Sequence, residues 1–151
     1  SANATIIQWH VVAMFAPSFI TGSLITRFGA SRILWAGLLA YIATVVTALN
    51  ANTFWPYWWA LTLVGIGWNF LYIGGSSLIA TVALPEERGR VQGFADLVLT
   101  STVAASSLTA GVLHSQMGWQ AMTIAATLPI LAIVVCLVWL SVHLHRLVSR
   151  S

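Results

Sequence analysis

The chain has 151 residues, of which 59% are hydrophobic and only 6% are Asp, Glu, Lys or Arg. About a quarter of the residues of a soluble domain are charged, because a surface that faces water has to be polar. This composition excludes a water-soluble globule and indicates an integral membrane protein with the lipid bilayer as its main partner. The net charge of +3 rests on six arginines, too few for a nucleic-acid surface.

Five apolar stretches are long enough to cross a membrane as helices. A helix rises about 1.5 Å per residue, so a hydrocarbon core of about 30 Å needs about 20 apolar residues. The runs are continuous rather than alternating, which favours helices over strands. The predicted fold class is all-α, a single polytopic bundle over residues 1–151. Its five transmembrane helices are predicted at 5–25, 33–49, 55–84, 94–113 and 119–142.

The first helix carries Gln8 and His10 among its polar residues. We predict that Gln8 binds substrate from this helix. His10 lies near its outer end, where an interfacial histidine and a proton carrier are both possible interpretations. Because a polar side chain is costly in lipid, the first, third and fourth helices, which hold most of the polar residues, are expected to face the bundle interior or a cavity.

The third helix begins with the aromatic stretch "FWPYWW", residues 54–59. Trp and Tyr prefer the depth of the lipid headgroups, so we interpret this stretch as an interfacial belt, with a ligand-binding aromatic box as the alternative. The helix is longer than a perpendicular crossing needs. We expect it to tilt, to bend near Gly74 and Gly75, or to extend beyond the bilayer.

Three residues near the middle of the third helix are predicted to bind substrate, namely Trp68, Asn69 and Tyr72. Asn69 and Tyr72 are three residues apart, so they share a helix face, which we expect to point into the bundle. For Asn69, a hydrogen bond to a neighbouring helix is the alternative to a substrate contact, since a lipid-facing amide would lack partners.

The arginines of a five-span chain all fall on one side of the membrane. They lie in the first loop, the third loop and the tail, as Arg27, Arg32, Arg88, Arg90, Arg146 and Arg150. Arg and Lys are enriched on the cytoplasmic side of membrane proteins. We therefore predict that the first loop (27–32), the third loop (85–93) and the C-terminus are cytoplasmic. An uncharged N-terminus is then outside, which further helices before it would explain. We therefore interpret the chain as the last five helices of a larger bundle.

Charges near the loops also fit the helix dipoles. Arg27 lies at the carboxyl end of the first helix, and Glu86 and Glu87 precede the fourth, where acidic groups are favourable. Asp96 lies slightly further along, where it has three possible partners: a free backbone amide, Arg90, or a residue outside this chain. A solvated loop that follows the dipole rules would explain these charges without any function.

No arrangement typical of catalysis or metal binding is found in the sequence. It contains no plausible Ser-His-Asp triad, paired carboxylates or metal-ligand spacing, and its one cysteine, Cys136, lies in an apolar run. We expect no enzyme activity, no metal and no cofactor. If transport is coupled to protons, the coupling group is expected outside this chain.

The stretch from Gly22 to Arg32 resembles the loop signature of the major facilitator superfamily, Gly-x-x-x-Asp-Arg-x-Gly-Arg-Arg. Gly22, Arg27 and Gly29 match, whereas Thr26 replaces the Asp and the basic pair is Ala-Ser. "PEERGR", residues 85–90, is similar to the family's loop between helices ten and eleven, and Gly-Trp at 118–119 resembles the turn before helix twelve.

The resemblance implies the C-terminal half of a secondary active transporter, helices eight to twelve, in a bacterial inner membrane. Such a protein moves a small solute by alternating access, together with an N-terminal half. The resemblance also implies a cytoplasmic latch that breaks and re-forms, formed by Gly22, Arg27, Gly29, Arg32, Glu86, Arg88, Arg90 and Asp96. The alternatives are a complete five-helix scaffold or assembly subunit, and a membrane enzyme.

Overall fold

The structure, a computed structural model, describes residues 2–148. This part of the chain contains helices and no strand. The helices are α1 (Ala2–Phe15), α2 (Ser18–Phe28), α3 (Ala30–Leu49), α4 (Phe54–Val82), α5 (Arg88–Ala125) and α6 (Thr127–Val148). Five segments are long and apolar enough to span a membrane: Ala4–Phe28, Ala30–Leu49, Phe54–Val82, Arg88–Val112 and Gln120–His143. The predicted all-α bundle of five membrane helices is confirmed.

The first span is broken at Pro17, so it consists of α1 and α2 rather than one helix over 5–25. Proline has no N–H to donate, and its ring clashes with the carbonyl one turn earlier, which here belongs to Ala13. The chain re-enters a helix at once, since the Thr21 N–H donates to the Pro17 carbonyl at 2.9 Å and the Thr21 hydroxyl donates to it at 2.8 Å. The span is therefore continuous in space but kinked.

Helix α4 is the central helix, and its main contacts are with α3 and α1. Glycines allow these close approaches. A Cβ on Gly65 would lie 2.7 Å from the His10 carbonyl oxygen of α1, and one on Gly67 would lie 3.1 Å from the Gly37 carbonyl oxygen of α3. Small residues at such crossings let helix backbones approach, which maximises van der Waals contact in lipid.

Of the three outcomes expected for this long helix, a bend that breaks the helix near Gly74 and Gly75 is not seen, since α4 runs without interruption from Phe54 to Val82. Gly74 instead packs against α3, since a Cβ there would lie 3.0 Å from Leu34. Gly75 has open space beside it.

Helix α5 begins at Arg88, six residues before the predicted position 94, so the third loop is shorter than the predicted 85–93. Arg and Gln are good helix formers, and the helix extends beyond its apolar part into polar residues. None of residues 88–112 is buried. Further along, Gly118 has φ 76° and ψ −176°, which interrupts the helix just before the fifth span.

The fifth span is interrupted at Ala126, and Pro129 explains this break. Pro129 has no N–H for the Ala125 carbonyl, and the Ala126 N–H donates to the Met122 carbonyl at 3.1 Å. Helix α6 then packs on α3, where Leu137 joins Leu34 and Leu38 in the hydrophobic core.

Candidate functional site

A polar cluster joins α4 to α5 within the membrane-spanning segments. The Tyr72 hydroxyl of α4 donates a long hydrogen bond of 3.5 Å to the Asp96 carboxylate of α5. The Gln92 amide, one turn before Asp96, donates to that carboxylate at 3.3 Å and to the Ser76 hydroxyl at 3.2 Å. An acidic side chain is costly at membrane depth, so these donors stabilise its position between the two helices.

Two aromatic rings lie beside this cluster on α4. Trp68 and Tyr72 are one helical turn apart, and their rings are parallel, with centroids 6.0 Å apart and planes 2° apart. Residues four apart are neighbours on a helix surface, and offset stacking is a favourable geometry for two rings. The pair forms an apolar surface directly beside the carboxylate of Asp96.

Two cavities lie against this pair of rings, with volumes of about 290 Å³ and about 530 Å³. Four residues line both cavities: Trp68, Tyr72, Asp96 and Leu99. The smaller cavity extends toward α3 and α6, and the larger extends toward the break between α1 and α2. Asp96 is the one charged residue among those that line them. The cluster therefore has a cavity on each of two sides.

Asn69 binds the broken first span to α4. Its amide nitrogen donates to the Met14 carbonyl at 2.7 Å and to the Ser18 hydroxyl at 2.6 Å. Its oxygen lies 2.7 Å from the Thr21 hydroxyl, whose single proton is shared between this oxygen and the Pro17 carbonyl. Asn69 is 2% exposed and Thr21 is fully buried. The arrangement supplies partners to polar groups around Pro17 and fixes the position of α1 and α2 on α4.

The structure brings together some of the residues that the sequence predicts to bind substrate. Trp68 and Tyr72 form the stacked pair of rings beside Asp96, and both line the two cavities. Asn69 lines the larger cavity, but its amide is engaged by the first span. Gln8 is exposed on α1 and lines neither cavity. His10 instead holds α1 to α4, since its Nδ1 donates to the Leu61 carbonyl at 2.8 Å.

Gln92 is not among the residues that the sequence predicts for the site, and Asp96 is predicted to belong with the loop residues. Because α5 begins at Arg88, Asp96 lies eight residues into the helix, about 12 Å along its axis. Its carboxylate binds Tyr72 and Gln92. Gln92 and Asp96 are four residues apart, so they share one face of the helix. A predicted helix that began near Arg88 would have placed both residues on that face.

The other residues of the predicted latch lie in and beside the two loops. Gly29 has φ 85°, and its N–H donates to the Ile25 carbonyl at 2.8 Å, so it closes α2 as a glycine at a helix end commonly does. The Arg27 guanidinium lies 5.2 Å from the Phe28 ring centre, and Arg88 donates to the Ala83 carbonyl at 3.3 Å. The remaining members are exposed: Gly22, Arg32, Glu86 and Arg90.

The aromatic stretch at the start of α4 forms edge-to-face contacts. Trp58 contacts Trp59 with centroids 4.8 Å apart and Trp9 of α1 with centroids 5.7 Å apart. Trp55 is 65% exposed, and Trp59 is 53% exposed. Such large amphipathic rings at the end of a span are suited to the headgroup region, where the interfacial belt is predicted.

Comparison with known families decides what kind of membrane bundle this is. The family model described as Major Facilitator Superfamily matches residues 2–150. The chain belongs to the major facilitator superfamily. The resemblance carried by the first and third loops is thereby confirmed. No solved structure matches the chain significantly.

Relatives of this major facilitator chain come from two bacteria. It is 46% identical over 114 residues, or 76% of its length, to "Riboflavin transporter RfnT" of Brucella anthropi. It is 30% identical over 142 residues, or 89% of its length, to "Uncharacterized MFS-type transporter YddS" of Bacillus subtilis. The chain spans only 29% and 31%, respectively, of the lengths of these relatives.

Proposed function

We propose that this major facilitator chain forms helices eight to twelve of a secondary active transporter that moves a small solute by alternating access. The observation that carries the proposal is the Tyr72, Asp96 and Gln92 cluster beside two cavities. A charged group within a membrane span is expensive and is therefore typical of a substrate or ion pathway. The family match and the short coverage of the relatives support the same assignment.

In this proposal, Trp68 and Tyr72 contact the solute, and Asp96 provides a charge at the binding site. Asn69 positions the first span, and Gln8 has no role in the site. The N-terminal half of the transporter is the expected partner. The unburied segment 88–112 supports this, since Ser, Thr, Ala and Gly are frequent from Thr100 to Gly111 and small residues favour helix packing.

Transport by the product of the complete reading frame tests this function. Riboflavin is the first solute to assay, because the Brucella anthropi relative carries that name. We expect Tyr72→Leu and Asp96→Asn to lower uptake into proteoliposomes at least tenfold at normal protein levels. Thr81→Ala is the control on α4, since this exposed hydroxyl donates within its own helix, to the Leu78 carbonyl at 2.8 Å, and Thr81 lines neither cavity. Normal uptake by both site variants would contradict the assignment of the site.

The proposed topology places the third loop and the C-terminus in the cytoplasm of a bacterial cell and residues 50–54 outside. In a Cys136→Ala background, Asn52→Cys is expected to react with an impermeant thiol reagent in sealed right-side-out membranes, whereas Glu86→Cys reacts only after lysis. Both positions are exposed, so access to the reagent depends on the side of the membrane. Labelling of position 86 in intact membranes would invert the assignment.

A further inference from the structure

We infer that the cluster of Trp68, Tyr72 and Asp96 selects planar aromatic solutes that are neutral or cationic and rejects those with an anionic group. The inference rests on the proposed transport function and adds the class of substrate. It combines two properties of the site: the stacked rings of Trp68 and Tyr72, and the Asp96 carboxylate, which has no basic residue among its hydrogen-bond partners.

The rings of Trp68 and Tyr72 provide a flat apolar surface on which an aromatic ring of the solute can stack. Trp68 and Tyr72 already lie parallel, and Tyr72 is 42% exposed. Both residues line both cavities, so a planar solute in either cavity reaches the pair. Stacking on such rings favours any planar aromatic system, because each has a π-face.

The carboxylate determines which charges are accepted. Asp96 is the one charged group that lines either cavity, and none of the residues lining them is basic. Its hydrogen-bond partners, Tyr72 and Gln92, are uncharged. Because Coulomb interactions are stronger at the lower effective dielectric of a protein site than in water, an anion placed here is repelled and a cation is attracted.

The ring surface is tested by titrating four probes into the purified full-length transporter. The probes are riboflavin, lumichrome (the dimethylalloxazine ring without the ribityl chain), ribitol (the polyol alone) and riboflavin 5′-phosphate, with binding followed by fluorescence or, for ribitol, by competition. We expect riboflavin and lumichrome to bind and ribitol not to compete. Competition by ribitol without binding of lumichrome would overturn the inference.

The role of the rings is isolated by Trp68→Leu and Tyr72→Leu. Each variant is expected to weaken lumichrome binding at least fivefold, the lower range for losing one stacked ring. Trp139→Leu is the matched control, because Trp139 of α6 is 63% exposed and lines neither cavity. Unchanged lumichrome affinity in both site variants, at a normal folded fraction, would refute the ring surface.

The role of the charge is isolated by comparing riboflavin with its 5′-phosphate. The wild-type protein is expected to bind the phosphate ester at least tenfold more weakly, and Asp96→Asn is expected to reduce that ratio at least threefold. An undiminished ratio in Asp96→Asn would overturn the charge selection. If the full-length protein transports other solutes but binds no planar aromatic, this inference fails while the proposed function stands. If it transports nothing, the proposed function fails first.

Discussion

Asn69→Leu is expected to remove most of the folded protein from the membrane. Leucine keeps the branched shape of asparagine, is somewhat larger, and removes three hydrogen bonds, which join α4 to Met14, Ser18 and Thr21. Hydrogen bonds between membrane helices contribute on average about 0.6 kcal/mol, with larger values measured, so the three together are worth about 2 to 4 kcal/mol. The measurement is the folded, membrane-inserted fraction, determined by detergent extraction and size-exclusion chromatography.

Two variants separate this structural role from a direct role in binding. Thr21→Val removes one of the three bonds and should give a smaller loss. Thr81→Val removes a hydroxyl that donates within α4, to the Leu78 carbonyl, and should leave the folded fraction unchanged. If Asn69→Leu instead accumulates normally but transports poorly, Asn69 contacts the substrate. If neither abundance nor transport changes, the hydrogen bonds of Asn69 do not determine how the first span is held on α4.

Gly65→Ala is expected to destabilise the bundle by about 1 to 3 kcal/mol, the usual cost of adding a methyl group to a tightly packed site. The new Cβ would lie 2.7 Å from the His10 carbonyl oxygen and 2.8 Å from the Ala13 Cβ. Neither atom is the end of a flexible side chain, so α1 has to move away from α4. The expected result is a lower midpoint of thermal unfolding in detergent.

Gly75→Ala is the control for this effect. It lies on the same helix, but a Cβ there meets nothing within 4 Å. Since alanine is the better helix former, Gly75→Ala should be neutral or slightly stabilising. Equal losses in both variants would show that helix flexibility, rather than contact with α1, determines the result at Gly65.

The number of spans follows from the sequence, because hydropathy and the thickness of the bilayer determine which stretches can cross. The break at Pro17 does not follow, although the reason for it is local. A proline is tolerated within a membrane helix when neighbouring groups satisfy the freed backbone. Here Asn69 binds the Met14 carbonyl, which lies next to the Ala13 carbonyl that Pro17 leaves without its usual donor, and this contact depends on how two helices pack.

In the candidate site, too, some features can be predicted from the local sequence and others depend on how the helices pack. Trp68 and Tyr72 are predicted from their spacing and their depth in one helix. The position of Asp96 depends on where α5 begins and on how α5 is rotated against α4. A hydropathy criterion does not detect the start of α5, because the residues from Arg88 onward are polar. The contact between Tyr72 and Asp96 therefore required the structure.

The break at Pro17 also has a consequence for how the chain is made. The Asn69 amide that binds the Met14 carbonyl is 55 residues further along the chain. At a synthesis rate of about 5 to 20 residues per second, the first span waits about 3 to 11 s for that partner. During this interval the first span is without its hydrogen bonds to Asn69 of α4. A ribosome pause between the two segments would prolong the exposure of an unsatisfied backbone to the insertion machinery.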